Sequence, residues 1–228
     1  MTQNSTVRLL WVSFILLMTV SLQKSNATHL RAGEIIVERV NCNSLTFKIT
    51  VTVFTNTINT NVLFGGDDDW LDFGDGSKPI LVPETQNTLR PDLGEGIATA
   101  SFTIFHTYSG FQRYVISYSE PNRNDGVVNM DGSVNTRFYI ETEIIVDPFL
   151  GCNNTPQLLV PPIDRACTTE AWSHNPGAFD PDGDSISYEL VIPFRDRNTT
   201  VVNYKAPNDP KFYTNFGNSN EAGDGPPT

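Results

Sequence analysis

Apolar and polar residues alternate along much of the chain. In the first long run, Leu45, Phe47, Ile49, Val51 and Val53 are each separated by a polar residue or a threonine. Successive side chains of a strand point to opposite faces, so this period of two predicts a β-strand with one buried and one wet face. The same period predicts further strands, which we place at 98–104, 114–118, 138–146 and 186–192.

Short turn signals separate the alternating runs. Glycine beside glycine, aspartate or asparagine occurs at 65–66, 74–76, 124–126, 131–132 and 182–184. These residues favour tight turns because glycine reaches positive φ freely and aspartate can bond its own backbone. No window shows the 3.6-residue stripe of a helix of ordinary length. The pattern therefore predicts an all-β protein built from immunoglobulin-like β-sandwiches.

A change of composition at residues 147–148 predicts a domain boundary. The stretch 151–162 that follows holds three prolines, which suits a linker and an edge strand. We predict a first sandwich over 28–148 and a second over 149–228. Sandwiches of this type run to about 100 residues, so the second is expected to lack its final strands.

The amino terminus has the pattern of a secretory signal peptide. Arg8 precedes an apolar stretch over 9–22, and small residues stand at Ser25 and Ala27. The competing interpretation is a membrane anchor, but a spanning helix needs about 20 apolar residues. We expect a signal peptide at 1–27 and a secreted or cell-surface protein that does not span the membrane.

The charge of the chain disfavours nucleic acid as a partner. It has 15 Lys and Arg against 26 Asp and Glu, a net charge of −11. An acidic protein repels phosphate backbones. Carboxylate-rich loops instead suit calcium, so the expected partners are an extracellular protein or polysaccharide, with calcium as the candidate cofactor.

The three cysteines allow one disulfide within the chain. They are Cys42, Cys152 and Cys167. Export permits disulfides, and the short, turn-rich segment between Cys152 and Cys167 favours that pair. Cys42 would then be a small buried apolar residue, and the spacing fits no zinc motif.

Three segments in the middle of the chain carry a family resemblance. The sequence W-L-D-F-G-D-G-S at 70–77 is followed by H-T-Y-S at 106–109 and Y-V-I-S-Y at 114–118. This resembles the PKD domain, whose hallmark is a W-D-F-G-D-G-S strand and turn with a later H-T-Y before a Y-x-V strand. An extra leucine interrupts the motif here. The resemblance implies that Trp70 belongs to the core and that His106 has a structural role.

The wider pattern is similar to the amino-terminal region of long cell-surface proteins of gliding Bacteroidota. Those proteins often end in a gliding-motility-associated sorting domain for type IX secretion. The segments that carry this similarity lie at 28–34, 119–124, 138–142, 161–164 and 174–178. The segment 180–190 is also similar to cadherin-like bacterial repeats, which implies a cadherin-like second module.

Alternate aspartates give the principal candidate metal site. Asp180, Asp182 and Asp184 can converge on one calcium ion, which takes about six to eight oxygen ligands, so backbone or water oxygens would complete the set. The alternative is a solvated Asp-Gly turn. A second candidate site is Asp67 with Asp69, for which the alternative is a solvated acidic loop.

Candidate catalytic residues are scarce. The histidines His29, His106 and His174 stand in no recognisable catalytic motif. The Gly-Asp-Gly turn at 74–76 leads into an apolar, extended stretch rather than the helix of a phosphate loop, so Asp75 is expected to bond its own backbone.

The leading hypothesis is therefore a non-catalytic module for adhesion or for protein and glycan interaction, with a link to gliding motility. The alternative is a carbohydrate-binding accessory region of a larger secreted hydrolase. Trp172, in a polar context, is the candidate glycan-binding aromatic residue.

Overall fold

The computed structural model describes residues 30–57, 63–66, 68–121, 123–163, 175 and 177–206. This part of the chain is all-β, with one three-residue 3-10 helix at Ser133–Asn135. Strands β1 to β12 are, in chain order, Leu30–Arg39, Thr46–Asn56, Trp70–Asp72, Ile80–Leu81, Thr88–Leu89, Ile97–Thr107, Arg113–Glu120, Phe138–Ile145, Gln157–Leu158, Ala178–Phe179, Phe194–Asp196 and Thr199–Thr200. Within the described ranges no helix has the length and apolar character needed to cross a membrane.

Eight strands form two four-stranded antiparallel sheets. Their strand orders are β1-β2-β6-β5 and β4-β3-β7-β8. In the first sheet β2 and β6 pair along their whole length, with Thr50 opposite Thr103. In the second, β7 and β8 pair with Tyr118 opposite Ile140. The all-β prediction is confirmed, and so are the four strands predicted before residue 147.

The inner faces of the two sheets share one hydrophobic core. Alternate residues of β2 are buried, and so are alternate residues of β7, as their sequence period predicts. Burying an aliphatic or aromatic side chain of this size stabilises the fold by about 1.5–3 kcal/mol relative to exposure. The central members of the core are Val37, Phe47, Ile49, Val51, Val53, Leu71, Tyr114, Ile116, Tyr118 and Ile144.

Strand β1 was not among the predicted strands. Its sequence, LRAGEIIVER, contains a glycine and three charged groups before its last residue and shows no clean alternation. The glycine is required by packing, because a Cβ at Gly33 would lie 2.9 Å from the Thr52 carbonyl oxygen and 3.2 Å from Cδ1 of Ile140. Gly33 thus lets β1 lie against both its neighbour β2 and the opposite sheet.

The described residues after 148 form two short ladders, β9 with β10 and β11 with β12. The strand predicted at 186–192 is wrong, since these residues belong to no strand and none of the described strands pairs with them. This part of the chain contacts the first sandwich: Thr155 bonds the Val37 backbone in both directions, at 2.8 and 3.0 Å. The boundary at 148 stays a prediction.

The predicted disulfide between Cys152 and Cys167 is wrong. The structure joins Cys42 to Cys152, with 4.8 Å between their Cα atoms and 110 residues between them in sequence. Hydrogen bonds across the β1 edge set this pairing, because Arg39 donates to the Gly151 carbonyl at 2.8 Å and so holds the segment beside the β1–β2 loop. Cys167 lies outside the described residues. Proximity in the fold, rather than in sequence, selects the partner.

We predict that replacing both Cys42 and Cys152 with serine destabilises the protein by about 4.7 kcal/mol. A bridge that closes a loop of about 100 residues restricts the unfolded chain by about that amount. Urea unfolding measures the loss, and reduced wild type should match the double variant. A non-reducing peptide map that recovers Cys152 bound to Cys167 would contradict the assignment.

Candidate functional site

A cleft lies between the edge strand β8 and the aspartate loop at 180–184. Its volume is about 340 Å³. One wall is formed by Glu143, Ile144 and Ile145 of β8, and the described residues of the other side are Asn153, Asn154, Thr155, Pro156, Asp180, Asp184, Ser185, Ile186 and Ser187. The cleft therefore combines carboxylates with aliphatic surface.

The aspartate loop does not bring its three carboxylates together at one point. One oxygen of Asp180 accepts hydrogen bonds from the amides of Asp182 and Asp184, at 2.9 and 3.2 Å, which closes the turn. Asp182 accepts from the backbone and side-chain nitrogens of Asn154, at 2.6 and 3.0 Å. Asp180 and Asp184 line the cleft, and Asp182 does not.

This arrangement bears on the calcium prediction. Among the described residues, no group of three or more His, Cys, Asp and Glu side chains is placed to hold a metal ion. Asp182 is engaged by Asn154, so Asp180 and Asp184 are the two members of the predicted set that share a surface. Calcium binding at Asp180, Asp182 and Asp184 stays a prediction.

The second candidate metal site contains a buried carboxylate. Asp69 lies just before β3 and is 3 % exposed, while Glu120 at the end of β7 is fully buried. Tyr118 donates a hydrogen bond to Glu120 at 2.7 Å. Burial, and then the charge of Glu120, raise the pKa of Asp69 to about 8. Asp67 lies outside the described residues.

Arg137 lies near these two acids, but its hydrogen bonds go to other residues. Arg137 donates to the side chain and carbonyl of Asp68, at 2.9 and 2.8 Å, and to Ser119 at 2.9 Å. It lowers the pKa of Asp69 less than burial and Glu120 raise it. For Asp69, the interpretation as a solvated acidic loop is therefore wrong, because its carboxyl group is enclosed by the fold.

Trp70 does not occupy the core position that the PKD resemblance implies. It is half-buried opposite Ser119, and its indole donates to Asp68 at 3.0 Å. The next residue, Leu71, is fully buried opposite Tyr118. The pleat alternates faces at each residue, so the leucine that interrupts the motif takes the inward position.

His106 and the Gly-Asp-Gly turn contact each other. His106 stacks on Phe73 with 3.9 Å between ring centroids, and its Nε2 lies 2.8 Å from the Asp75 carboxylate. Partial burial opposes ionisation of Asp75, but hydrogen bonds from Ser77 and His106 outweigh it and lower the pKa of Asp75 to about 2. Asp75 also accepts from the Ser77 amide at 2.9 Å, as predicted. Both residues have the structural roles expected of them.

Three functional candidates cannot be placed. Trp172, His29 and His174 lie outside the described residues. The sequence analysis missed that Asp69 and Glu120 lie close together. The one signal for it is that Glu120 has the same parity along β7 as the inward residues Tyr114, Ile116 and Tyr118.

No protein family, no curated protein and no solved structure matches this chain. The resemblances to PKD domains and to surface proteins of gliding bacteria therefore depend on the motif residues alone.

We predict that Asp69→Asn removes the part of the pH dependence of stability that comes from ionisation of Asp69. The folded state keeps a proton on Asp69 up to a pH of about 8, whereas the unfolded state loses it near the ordinary pKa of 3.8. The contribution of Asp69 to the free energy of unfolding of wild type should therefore be greatest below a pH of about 3.8 and should be lost as the pH rises towards 8. Asparagine carries no titrating proton, so this loss should be absent in the variant.

Urea unfolding at pH 5, 7 and 9 measures this difference. Asp92→Asn is the control, because Asp92 forms an exposed ion pair with Arg90. Equal pH dependence in wild type and Asp69→Asn would show that Asp69 has an ordinary pKa.

The calcium prediction has its own test. Calcium should raise the melting temperature of wild type relative to chelator, and Asp184→Asn should remove the rise because it deletes a charged ligand. Asp182→Ala also breaks the contact with Asn154, so the comparison of the two variants separates ligand loss from loop damage. Identical melting in calcium and chelator would leave a solvated turn.

Proposed function

We propose that this chain is a non-catalytic extracellular module that mediates adhesion by binding a protein or a polysaccharide. The observation that carries the proposal is the disulfide between Cys42 and Cys152, which closes the end of an all-β sandwich. Structural disulfides persist in oxidising compartments and are rare in the cytosol. They suit a protein whose working environment is outside the cell, in agreement with the expected signal peptide.

The exposed surface supports a binding role. Large apolar side chains are exposed in the loops at the disulfide end of the sandwich, where Phe111 is 57 % and Phe149 94 % exposed. Leu150, beside Phe149, is also exposed. Loops at the end of a rigid sandwich are common binding surfaces, and groups of exposed apolar residues mark interaction sites.

His106 and Tyr108, two residues whose side chains could exchange a proton, are held by contacts within the fold. The ring of His106 is packed on Phe73 and bonded to Asp75, and the Tyr108 hydroxyl donates to the Phe73 carbonyl at 3.0 Å. These contacts give His106 and Tyr108 a role in holding the fold together, as the PKD resemblance implies for His106. We therefore favour binding over catalysis.

The finer assignment is an immunoglobulin-like PKD module of a gliding-associated surface protein, followed by a cadherin-like module. Its support is that two of the PKD-like segments, 70–77 and 106–109, touch through the pairs Asp75–His106 and Phe73–Tyr108. This contact gives a physical reason for the two motifs to occur together in one domain.

The proposal predicts that the protein over residues 28–228 binds a surface component without converting it. Purified, oxidised protein on beads should be retained on immobilised extracellular proteins or polysaccharides, and disulfide-reduced, heat-denatured protein should not. Product analysis of each ligand checks for turnover. Hydrolysis of any bound polysaccharide or protein would contradict the proposal.

The same assay addresses the alternative, a carbohydrate-binding region of a secreted hydrolase. That alternative requires selective retention on one polysaccharide, abolished by Trp172→Ala. Phe105→Ala is the matched control, because it removes an exposed aromatic side chain from strand β6, away from the end loops. Equal retention of both variants on all ligands would exclude Trp172 as the glycan contact.

A further inference from the structure

The segment 185–192 has the composition of a strand but the environment of an exposed surface. Its sequence is SISYELVI, with apolar or aromatic residues at every second position from Ile186. Tyr188 is 58 % exposed and Leu190 72 % exposed, and Val191 and Ile192 are also exposed. A cluster of apolar side chains left in water costs free energy that a covering partner would recover.

The backbone of this segment is also free among the described residues. No backbone N–H or C=O group from Ser185 to Ile192 makes a hydrogen bond to another described residue. The segment is nonetheless held in place, because the Tyr188 hydroxyl accepts from the Ala178 amide at 2.8 Å and residue 184 closes the aspartate turn. A held row of unpaired backbone groups is a template for strand pairing.

A second strand edge faces the same space. β8 is the terminal strand of its sheet and pairs only with β7 among the described strands. The 340 Å³ cleft separates Ile144 and Ile145 of β8 from the first residues of the segment, Ser185 to Ser187. An extended peptide in this cleft could pair with either edge and cover both apolar surfaces.

The cleft and the segment are acidic. Asp180 and Asp184 line the cleft, and neither forms an ion pair with any described Lys or Arg. Glu189 lies in the middle of the segment, and the whole chain has a net charge of −11. Complementarity therefore favours an occupant that carries basic side chains.

We infer that a second polypeptide, extended and carrying basic residues between apolar ones, docks between β8 and residues 185–192. This inference rests on the proposed binding function and names the chemistry of one partner. Backbone hydrogen bonds to the segment would give affinity, and the aspartates would select lysine or arginine. A second copy of this chain is disfavoured, because antiparallel self-pairing centred on Glu189 places like charges opposite each other.

The test uses the protein over residues 28–228 and a fluorescent synthetic peptide in which valine and lysine alternate. Fluorescence anisotropy in the presence of chelator should detect binding. The same peptide with alternate amides N-methylated should bind at least about tenfold more weakly, because it cannot donate to the segment. Replacing its lysines with glutamate should abolish binding to wild type.

Two protein variants locate the site. Leu190→Pro removes one N–H from a residue that bonds no other described backbone group, and it should weaken binding by about tenfold or more. Val128→Pro is its matched control, an exposed apolar residue at the second position of a turn closed by the Met130 amide. The Asp184→Lys variant should no longer bind the lysine peptide and should bind the glutamate peptide. The Glu95→Lys variant should bind both peptides as wild type does.

Several results would overturn the inference. They are no binding of the valine–lysine peptide, equal binding of the N-methylated peptide, and unchanged binding to both Leu190→Pro and Asp184→Lys. A dimer in sedimentation that Leu190→Pro dissociates would assign the surface to a second copy instead. Retention on extracellular ligands in the bead assay, without peptide binding, would leave the adhesion proposal standing and remove only this site.

Discussion

The fold depends on the pleat of its strands, which sends successive side chains to opposite faces. β2 pairs with β6 without a register shift, so each inward residue of one meets an inward residue of the other. A slip of one residue would expose Ile49 and Val51 and bury Thr50. The common core, the sandwich and the positions of the end loops all follow from this alternation of inward and outward residues.

The same constraint produces the least favourable feature of the interior. Glu120 is two residues from Tyr118 and four from Ile116, so the pleat directs its side chain inward with theirs. The Tyr118 hydroxyl supplies one hydrogen bond to Glu120, and the nearby Asp69 adds a second carboxyl group to the same region. One inward position thus links the sheet geometry to the raised pKa of Asp69. The alternation that buries the hydrophobic residues of β7 therefore also buries a carboxyl group at the end of the strand, which is energetically unfavourable.

Much of the sandwich could be predicted from the sequence, because alternation is a local signal. β2, β6, β7 and β8 each show it in consecutive residues. β1 does not show it. Its glycine, Gly33, makes room for the backbone of β2 and for the side chain of Ile140, and both of these contacts are with residues distant in sequence. The Cys42–Cys152 pairing escaped prediction for the same reason. It depends on Arg39 and Gly151 meeting across the edge of the folded sheet.

Segment 185–192 shows that alternation alone does not produce a strand, just as β1 shows that a strand can form without it. β2 has a similar period, and it is a strand because β1 and β6 satisfy its backbone on both sides. Residues 185–192 have no such neighbour among the described residues, so the pattern is present without the ladder. Strand propensity largely measures packing against neighbours, which a sequence window does not contain. For residues 185–192, the pattern of a strand and the pairing among the described residues therefore disagree.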